Sequence, residues 1–132
     1  MAERRRIVVA DDDDIFVALL ATGLEAEYDF AGGKNGREGL ELCRAGRVDL
    51  LITDIGMPEL DGIQMLEEFQ KDPRLAAIPV LVVTATHFSR RHRAEVERFP
   101  QVRGVICKPC GFDQIRAELR RLLPAPSGPG PA

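Results

Sequence analysis

The chain has 132 residues, 45% of them hydrophobic, which supports one compact domain and is too little for two. With 18 basic and 21 acidic residues the net charge is -3, so bulk attraction to nucleic acid or an anionic membrane is not expected. No apolar stretch approaches the ~20 residues of a membrane span and no signal peptide is recognisable, so we expect a cytoplasmic protein. An odd number of cysteines, Cys43, Cys107 and Cys110, predicts reduced thiols.

Short β-branched runs alternate along the chain with segments of helical period. The predicted strands are residues 7–10, 28–31, 48–53, 80–84 and 102–107, and the second is expected at a sheet edge. Each strand is followed by a predicted helix. Four of these helices have an apolar face, comprising in order Ile15, Leu19, Leu20 and Gly23; Leu40 and Cys43; Ile63, Leu66 and Phe69; and Ile115, Leu119 and Leu122. Residues 85–89 are predicted to be a loop. The tail 124–132 is predicted to be disordered or a linker, so the domain spans residues 1–123.

Five β/α units on one chain predict an α/β fold with a single doubly wound parallel sheet and helices on both faces. The commonest five-strand order is 2-1-3-4-5, in which strands one and three are neighbours and ligands bind beyond their carboxyl ends. Polar residues close four of these strands, namely Asp11 and Asp12 after the first, Asp54 after the third, Thr84 at the fourth and Lys108 at the fifth. We therefore expect them to face one crevice.

Carboxylates that meet at ~5 Å repel by about 3 kcal/mol per pair at an effective dielectric near 20, so a cation is expected among Asp11, Asp12 and Asp54. Oxygen ligands in a partly open site suit Mg²⁺, whereas zinc lacks suitably spaced soft ligands. Such a site makes phosphoryl transfer onto a carboxylate plausible. An open alternative is that residues 11–14 form a solvated turn in which Asp13 or Asp14 caps a helix.

Four strings carry a resemblance to a known family: RIVVADDDD at residues 6–14, DLLITDIGMPELDG at 49–62, VLVVTA at 80–85 and CKP at 107–109. In order and spacing they resemble the response-regulator receiver domains of two-component signalling, over roughly residues 5–123. The string around Asp54, with Met57-Pro58 and Asp61-Gly62 after it, is the most specific. The resemblance implies a flavodoxin-like fold like that of the chemotaxis regulator CheY.

The resemblance also implies a role for each strand-end residue. Asp54 would accept a phosphoryl group, and Thr84 and Lys108 would bind its oxygens. The metal ligands for Mg²⁺ would be Asp11, Asp12, Asp54 and the backbone carbonyl of Gly56. The donor would be a histidine kinase or a phosphotransfer protein, with small acyl phosphates as substitutes.

The implied protein is a signalling domain and not an enzyme, although such a domain can promote its own phosphorylation and dephosphorylation. Its expected partners are the phosphodonor, an output domain or partner protein, and a second copy in a homodimer. No recognition helix with clustered base-reading residues is present, so this segment is not expected to bind nucleic acid directly.

Two positions depart from the family pattern. Val105 stands where the family usually carries Tyr or Phe, and Cys110 stands where an apolar residue commonly follows Lys-Pro. Because valine has few rotamers, we expect weak coupling to the output face through residues 85–89, with poor dimerisation or readout through a bound partner.

Three other readings remain open from the sequence. The pair Cys107 and Cys110 forms the C-x-x-C pattern of a thioredoxin-like oxidoreductase, although such a motif usually opens a long helix after an early strand. A Mg²⁺-dependent phosphatase of the haloacid dehalogenase type would use Asp11 as the nucleophile. The third is a binding module that never turns over phosphate.

Overall fold

The computed structural model describes residues 4–123, which form a five-stranded parallel sheet in the order β2-β1-β3-β4-β5. The strands are β1 Arg5–Ala10, β2 Tyr28–Gly33, β3 Leu50–Thr53, β4 Val80–Ala85 and β5 Val102–Lys108. The helices are α1 Asp14–Leu24, α2 Gly36–Ala45, α3 Gly62–Phe69, α4 Pro73–Ala76, α5 Thr86–Glu97 and α6 Phe112–Leu122. The predicted doubly wound sheet and its strand order are confirmed. The predicted tail 124–132 lies outside the described residues.

The core has two layers, one on each face of the sheet, because successive side chains of a strand point to opposite faces. In β1, Val8 and Ala10 belong to one hydrophobic cluster, whereas Ile7 and Val9 belong to the other. Helices α2, α3 and α5 cover the first face, and α1 and α6 cover the second. Both faces of the sheet are therefore covered, and a site is expected at the carboxyl ends of the strands.

Strand ends differ from the prediction by one or two residues, because pairing with a neighbour defines them more than composition does. Strand β1 begins at Arg5 instead of residue 7, since Arg5 already pairs with Tyr28. Strand β3 begins at Leu50 instead of residue 48, because its pairing with β1 starts at Ile7 and Leu50. The other three strands extend beyond their predicted ends.

The predicted apolar face of the first helix is confirmed at Leu20 and wrong at Ile15, Leu19 and Gly23. Ile15 is 71% exposed and Leu19 is 54% exposed, whereas Leu20 and Leu24 are buried against the sheet. Helix α1 is apolar around most of its circumference, so the sequence contains no single stripe that fixes which side faces the core. Two large apolar side chains are therefore left on the surface.

The segment predicted as a loop at residues 85–89 is also different. Helix α5 begins at Thr86, directly after β4, because no glycine or proline interrupts the segment. It ends at Glu97, ahead of Pro100. The short α4 was not predicted, and within residues 4–123 no helix is long and apolar enough to cross a membrane.

Candidate functional site

The carboxyl ends of β1 and β3 bring three carboxylates together. Ala10 and Thr53 are paired in register, so Asp11 and Asp54 follow side by side. The Asp54 N–H donates to the carbonyl of Ala10 at 3.0 Å. One carboxylate oxygen from each of Asp11, Asp12 and Asp54 lies within 4.8 Å of the others. The structure thus assembles the acidic cluster at the carboxyl end of the sheet, as expected from the sequence.

The two oxygens of the Asp54 carboxylate have different surroundings. Oδ1 accepts hydrogen bonds from the Ile55 N–H at 2.6 Å and from the Thr84 hydroxyl at 2.5 Å. Oδ2 has a single neighbour of this kind, the Nζ of Lys108 at 3.5 Å. The Asp54 side chain is 12% exposed. One oxygen is therefore held in place while the other stays open toward the crevice.

Lys108 reaches the cluster from the end of β5. Its Nζ donates to Oδ2 of Asp11 at 2.8 Å and lies 4.5 Å from the centre of the Phe16 ring, a cation–π contact. Burial acts to lower the pKa of the Lys108 ammonium, but the hydrogen bond and negative charge of Asp11, followed by the charge of Asp54, outweigh it and raise the pKa. Lys108 is therefore a fixed positive charge beside both aspartates.

Asp11 is the most deeply buried carboxylate of the cluster, at 2% exposure. Burial raises the pKa of its carboxyl, with a further contribution from the charge of Asp54, although the hydrogen bond from Lys108 opposes the shift. Its Oδ2 accepts from Lys108, and its Oδ1 accepts from the Asp13 N–H at 2.9 Å. Both Asp11 oxygens are thus already engaged by the protein.

The acidic run 11–14 divides between the cluster and the helix. The Asp13 side chain accepts from the Phe16 N–H at 3.1 Å and is the N-cap of α1, and Asp14 is the first residue of that helix. An N-cap of this kind satisfies a backbone N–H that has no partner inside the helix. Both readings of the acidic run therefore apply, each to different residues.

The loop between Asp54 and α3 leaves no room for a side chain at Gly62. A Cβ atom on Gly62 would lie 2.3 Å from the Asp54 carbonyl oxygen, so only glycine fits there. The Gly62 N–H donates to the Ile55 carbonyl at 2.8 Å, and Asp61 forms a capping box with Gln64. The start of α3 therefore holds the backbone of Asp54 in position.

The donor set fits a small, hard divalent cation. Three carboxylates and one ammonium leave a formal charge of -2 when all are ionised, and the ligand atoms of the cluster are all oxygens. Asp12 is exposed, so one side of the cluster opens to solvent. Among residues 4–123, Asp11, Asp12 and Asp54 are the one group of three or more His, Cys, Asp or Glu residues close enough to share a metal ion.

Two aromatic residues near the crevice were not predicted as part of the site. Phe16 lies under Lys108, and the ring of Phe88 packs against Gly56 in the loop after Asp54. Neither contact follows from sequence spacing, because each joins side chains from different elements. Val105 stands where the family usually carries an aromatic residue. It pairs with Val82 of β4 and packs against the core cluster.

The cysteine pair does not resemble a dithiol centre. Cys107 lies inside β5, and α6 begins only at Phe112, so neither cysteine opens a helix. Burial raises the pKa of the Cys110 thiol, despite the opposing charge of Lys108, and burial raises the pKa of Cys43 to about 12. Raised thiol pKa values leave little of the reactive thiolate, which is unfavourable for redox chemistry at these two residues.

A family model of the response regulator receiver domain matches residues 7–120. The chain belongs to this family. Receivers are the phosphorelay signalling part of two-component response regulators, so the predicted functional class is confirmed. The acidic cluster at the ends of β1 and β3 is consistent with the phosphoacceptor site of a receiver.

Similar proteins agree with this assignment. The polar-differentiation response regulator DivK of Brucella anthropi is 33% identical over 82 residues, covering 61% of this receiver and 67% of DivK. The DNA-binding transcriptional regulator RpaA of Synechocystis is 30% identical over 120 residues, covering 89% of the chain and 48% of RpaA. The receiver thus spans about half of RpaA and, at 18%, much less of the regulator GlrR of Escherichia coli.

Solved receiver structures share the fold. The response regulator TrrA of Thermotoga maritima, in complex with Mg²⁺ and BeF, has a TM-score of 0.77 and 28% identity, covering 90% of this chain and 99% of TrrA. The chemotaxis regulator CheY4 of Vibrio cholerae has a TM-score of 0.82 and 21% identity, covering 92% of this chain and all of CheY4. The CheY4 likeness bears on the fold alone.

Proposed function

We propose that Asp54 is the phosphoacceptor of this receiver. The observation that carries the proposal is the asymmetry of the acidic cluster: both Asp11 oxygens are engaged by the protein, whereas Oδ2 of Asp54 has only a distant Lys108. In the transfer, Oδ2 forms a bond to phosphorus as the bond from phosphorus to the donor's imidazole nitrogen breaks, and that nitrogen keeps the electron pair. This asymmetry favours Asp54 over Asp11, the nucleophile of the phosphatase alternative.

The surrounding residues have distinct roles in this proposal. Before the transfer, the Thr84 hydroxyl donates to Oδ1 and fixes the orientation of the carboxylate. After the transfer, the Thr84 hydroxyl and the Lys108 ammonium bind phosphoryl oxygens. Mg²⁺ would be held by Asp11, Asp12, Asp54 and the Gly56 carbonyl, and when bound it neutralises charge between the carboxylate and the phosphoryl group. The Mg²⁺ complex of TrrA supports this choice of ion.

The phosphodonor would dock on the apolar surface next to the crevice. A cavity of about 420 Å³ lies between α1 and the end of β5, and its lining includes Ile15, Leu19, Lys108 and Pro109. The exposed Ile15 and Leu19 offer apolar contact, and Lys108 joins this surface to Asp54. A histidine kinase or phosphotransfer protein seated there would present its phosphohistidine at the mouth of the crevice.

Output and location remain predictions. An attached output domain, a separate partner or a second copy in a homodimer would each bind the surface formed by α5, β5 and α6. The length of relatives such as RpaA supports an attached domain. The cytoplasmic location, the capacity to promote its own phosphorylation and dephosphorylation, and the absence of direct nucleic-acid binding by this segment also remain predictions.

The test uses a small acyl phosphate and Mg²⁺, with intact mass as the readout. The wild-type chain should gain the mass of one phosphoryl group, and Asp54→Asn should gain none, because an amide oxygen is a poor nucleophile. Asp14→Asn, an exposed aspartate on the first turn of α1, is the matched control and should react like the wild type. A full mass gain in Asp54→Asn would refute the assignment.

A further inference from the structure

Gly56 is a glycine because of its neighbour Phe88. A Cβ built on Gly56 would lie 2.6 Å from Cζ of the Phe88 ring, 2.9 Å from Cε2 and 3.0 Å from Cε1, and these are the three nearest atoms. None of the described glycines has a positive φ, so the Gly56 backbone itself would accept a side chain. The space that a side chain would need is occupied by the ring.

Phe88 is itself held by a stack of rings on the first turns of α5. The His87 ring centre lies 4.4 Å from that of Phe88 at an interplanar angle of 36°, and the His92 ring lies at 6.2 Å and 20°. His92 in turn lies 2.7 Å from Glu95, from Nδ1 to Oε1. Phe88 is half-buried, and its contacts with the two histidine rings favour the orientation that faces Gly56.

The remaining sides of the loop are held by other contacts. Gly62 packs against the Asp54 carbonyl, and the Asn35 side-chain amide donates to the Glu59 carboxylate at 3.1 Å. Gly56 lies against the Phe88 ring. This contact joins the loop to α5, an element that contributes no ligand to the cluster.

We propose that Phe88 is a positioning residue for metal binding. Its ring lies against Gly56 and restrains the peptide whose carbonyl is a ligand in the proposed function, and the same contact links the loop after Asp54 to α5. The inference rests on the proposed function, in which the Gly56 carbonyl is a metal ligand. The contact places an aromatic side chain on α5, whereas β5 has Val105 at the position where the family usually carries Tyr or Phe.

The test measures Mg²⁺ affinity by following the backbone amide shifts of the metal-free protein during a titration. Phe88→Ala should weaken Mg²⁺ binding about tenfold, as the loss of an outer-shell support typically does. Gly56→Ala should have a similar effect, because its methyl group would overlap the ring and force the ring and the loop apart. The double variant should bind no more weakly than Phe88→Ala alone, since both changes break one contact.

Phe112→Ala is the matched control. Phe112 also lies on the first turn of a helix with its ring against a glycine, at 2.9 Å from a Cβ built on Gly23, but this glycine is on α1 and not in the loop after Asp54. Its Mg²⁺ affinity should equal that of the wild type. If Phe88→Ala proves unstable in a thermal melt, Phe88→Leu, which keeps apolar bulk without a flat ring, should show the same weakening.

The outcomes separate the two proposals. Wild-type affinity in folded Phe88→Ala or Phe88→Leu would overturn the positioning role and leave the proposed function intact. Additive losses in the double variant would likewise overturn it, because two independent effects would then be present. A wild-type chain that neither binds Mg²⁺ nor accepts a phosphoryl group would overturn both.

Discussion

The two ends of the sheet carry charge pairs of the same chemical kind in opposite surroundings. At the amino end, Arg4 lies 3.1 Å from Asp29 and Arg47 lies 3.5 Å from Asp49, with both arginine side chains about half exposed. At the carboxyl end, Lys108 is 20% exposed and its partner Asp11 only 2%. Solvent screens the Arg4–Asp29 pair, whose side chains are 44% and 62% exposed, and leaves the Lys108–Asp11 pair largely unscreened.

This difference separates structural charge from functional charge. At the amino end both of these anions have a cationic partner: Arg4 pairs with Asp29, and Arg5 at 3.8 Å and Arg47 at 3.5 Å share Asp49. The carboxyl end carries three carboxylates and one ammonium. This excess of negative charge is costly unless a further cation neutralises it or phosphoryl transfer uses it. Substitutions at the two ends should therefore differ in what they affect.

The largest effect among the variants that keep Asp54 is expected for Lys108→Ala. Its loss leaves the charge on the phosphoryl oxygens without its ammonium partner, so phosphorylation by an acyl phosphate should slow about 100-fold. A thermal melt of Lys108→Ala at saturating Mg²⁺ should show that the fold persists. Lys71→Ala, which removes an exposed ion pair with Glu68 at 2.9 Å, is the control and should leave the rate unchanged. An unfolded Lys108→Ala at saturating Mg²⁺ would point to a structural role.

Asp12→Ala should weaken Mg²⁺ binding by about 10- to 100-fold, because a carboxylate of the cluster is lost. Since Asp12 is exposed, the thermal midpoint without metal should barely change. Isothermal titration gives the affinity, and Asp14→Ala serves as the neighbouring control. Equal affinities in Asp12→Ala and the wild type would move the metal site elsewhere.

Thr84→Val tests the bond that orients the Asp54 carboxylate. Valine keeps the shape of the fully buried threonine and removes the hydroxyl, so phosphorylation should slow about tenfold, as expected for a hydrogen bond to a charged group. Thr84→Ser retains the hydroxyl and should stay close to the wild-type rate. Equal slowing in both variants would show that packing at this position, and not the hydrogen bond, controls the rate.

Arg47→Ala gives the smallest expected effect. Breaking its contact with Asp49 should lower the free energy of unfolding by about 1 kcal/mol or less and leave phosphorylation unchanged. Urea unfolding and the acyl phosphate assay measure the two quantities. A clear loss of phosphorylation would mean that the two ends of the sheet are coupled, which contradicts the separation drawn above.

The sequence was sufficient for the sheet and for the acidic cluster, because both follow from local patterns. Buried strands appear as short apolar runs, and the polar residue that ends each run, such as Asp54 or Thr84, lies at the carboxyl edge by topology alone. The side of α1 that faces the core was not predictable, since apolar residues surround that helix and Ile15 gives no phase.

Contacts between elements were beyond the reach of sequence patterns. Phe88 touches Gly56 only because α5 starts directly after β4, and the helix start was itself predicted as a loop. Phe16 reaches Lys108 across the crevice from α1, 92 positions along the chain from its partner by the residue numbers. Such contacts depend on packing angles and rotamers, which local composition does not encode.

The most direct test of the central claim is the location of the phosphoryl group. The wild-type chain would be treated with an acyl phosphate and Mg²⁺, the acyl phosphate on the protein would be trapped by borohydride reduction, and the modified residue would be found by peptide mass spectrometry. The account predicts modification at Asp54, dependent on Mg²⁺, with Asp11 and Asp12 untouched. Modification at Asp11, or modification of Asp54 that is independent of Mg²⁺, would contradict it.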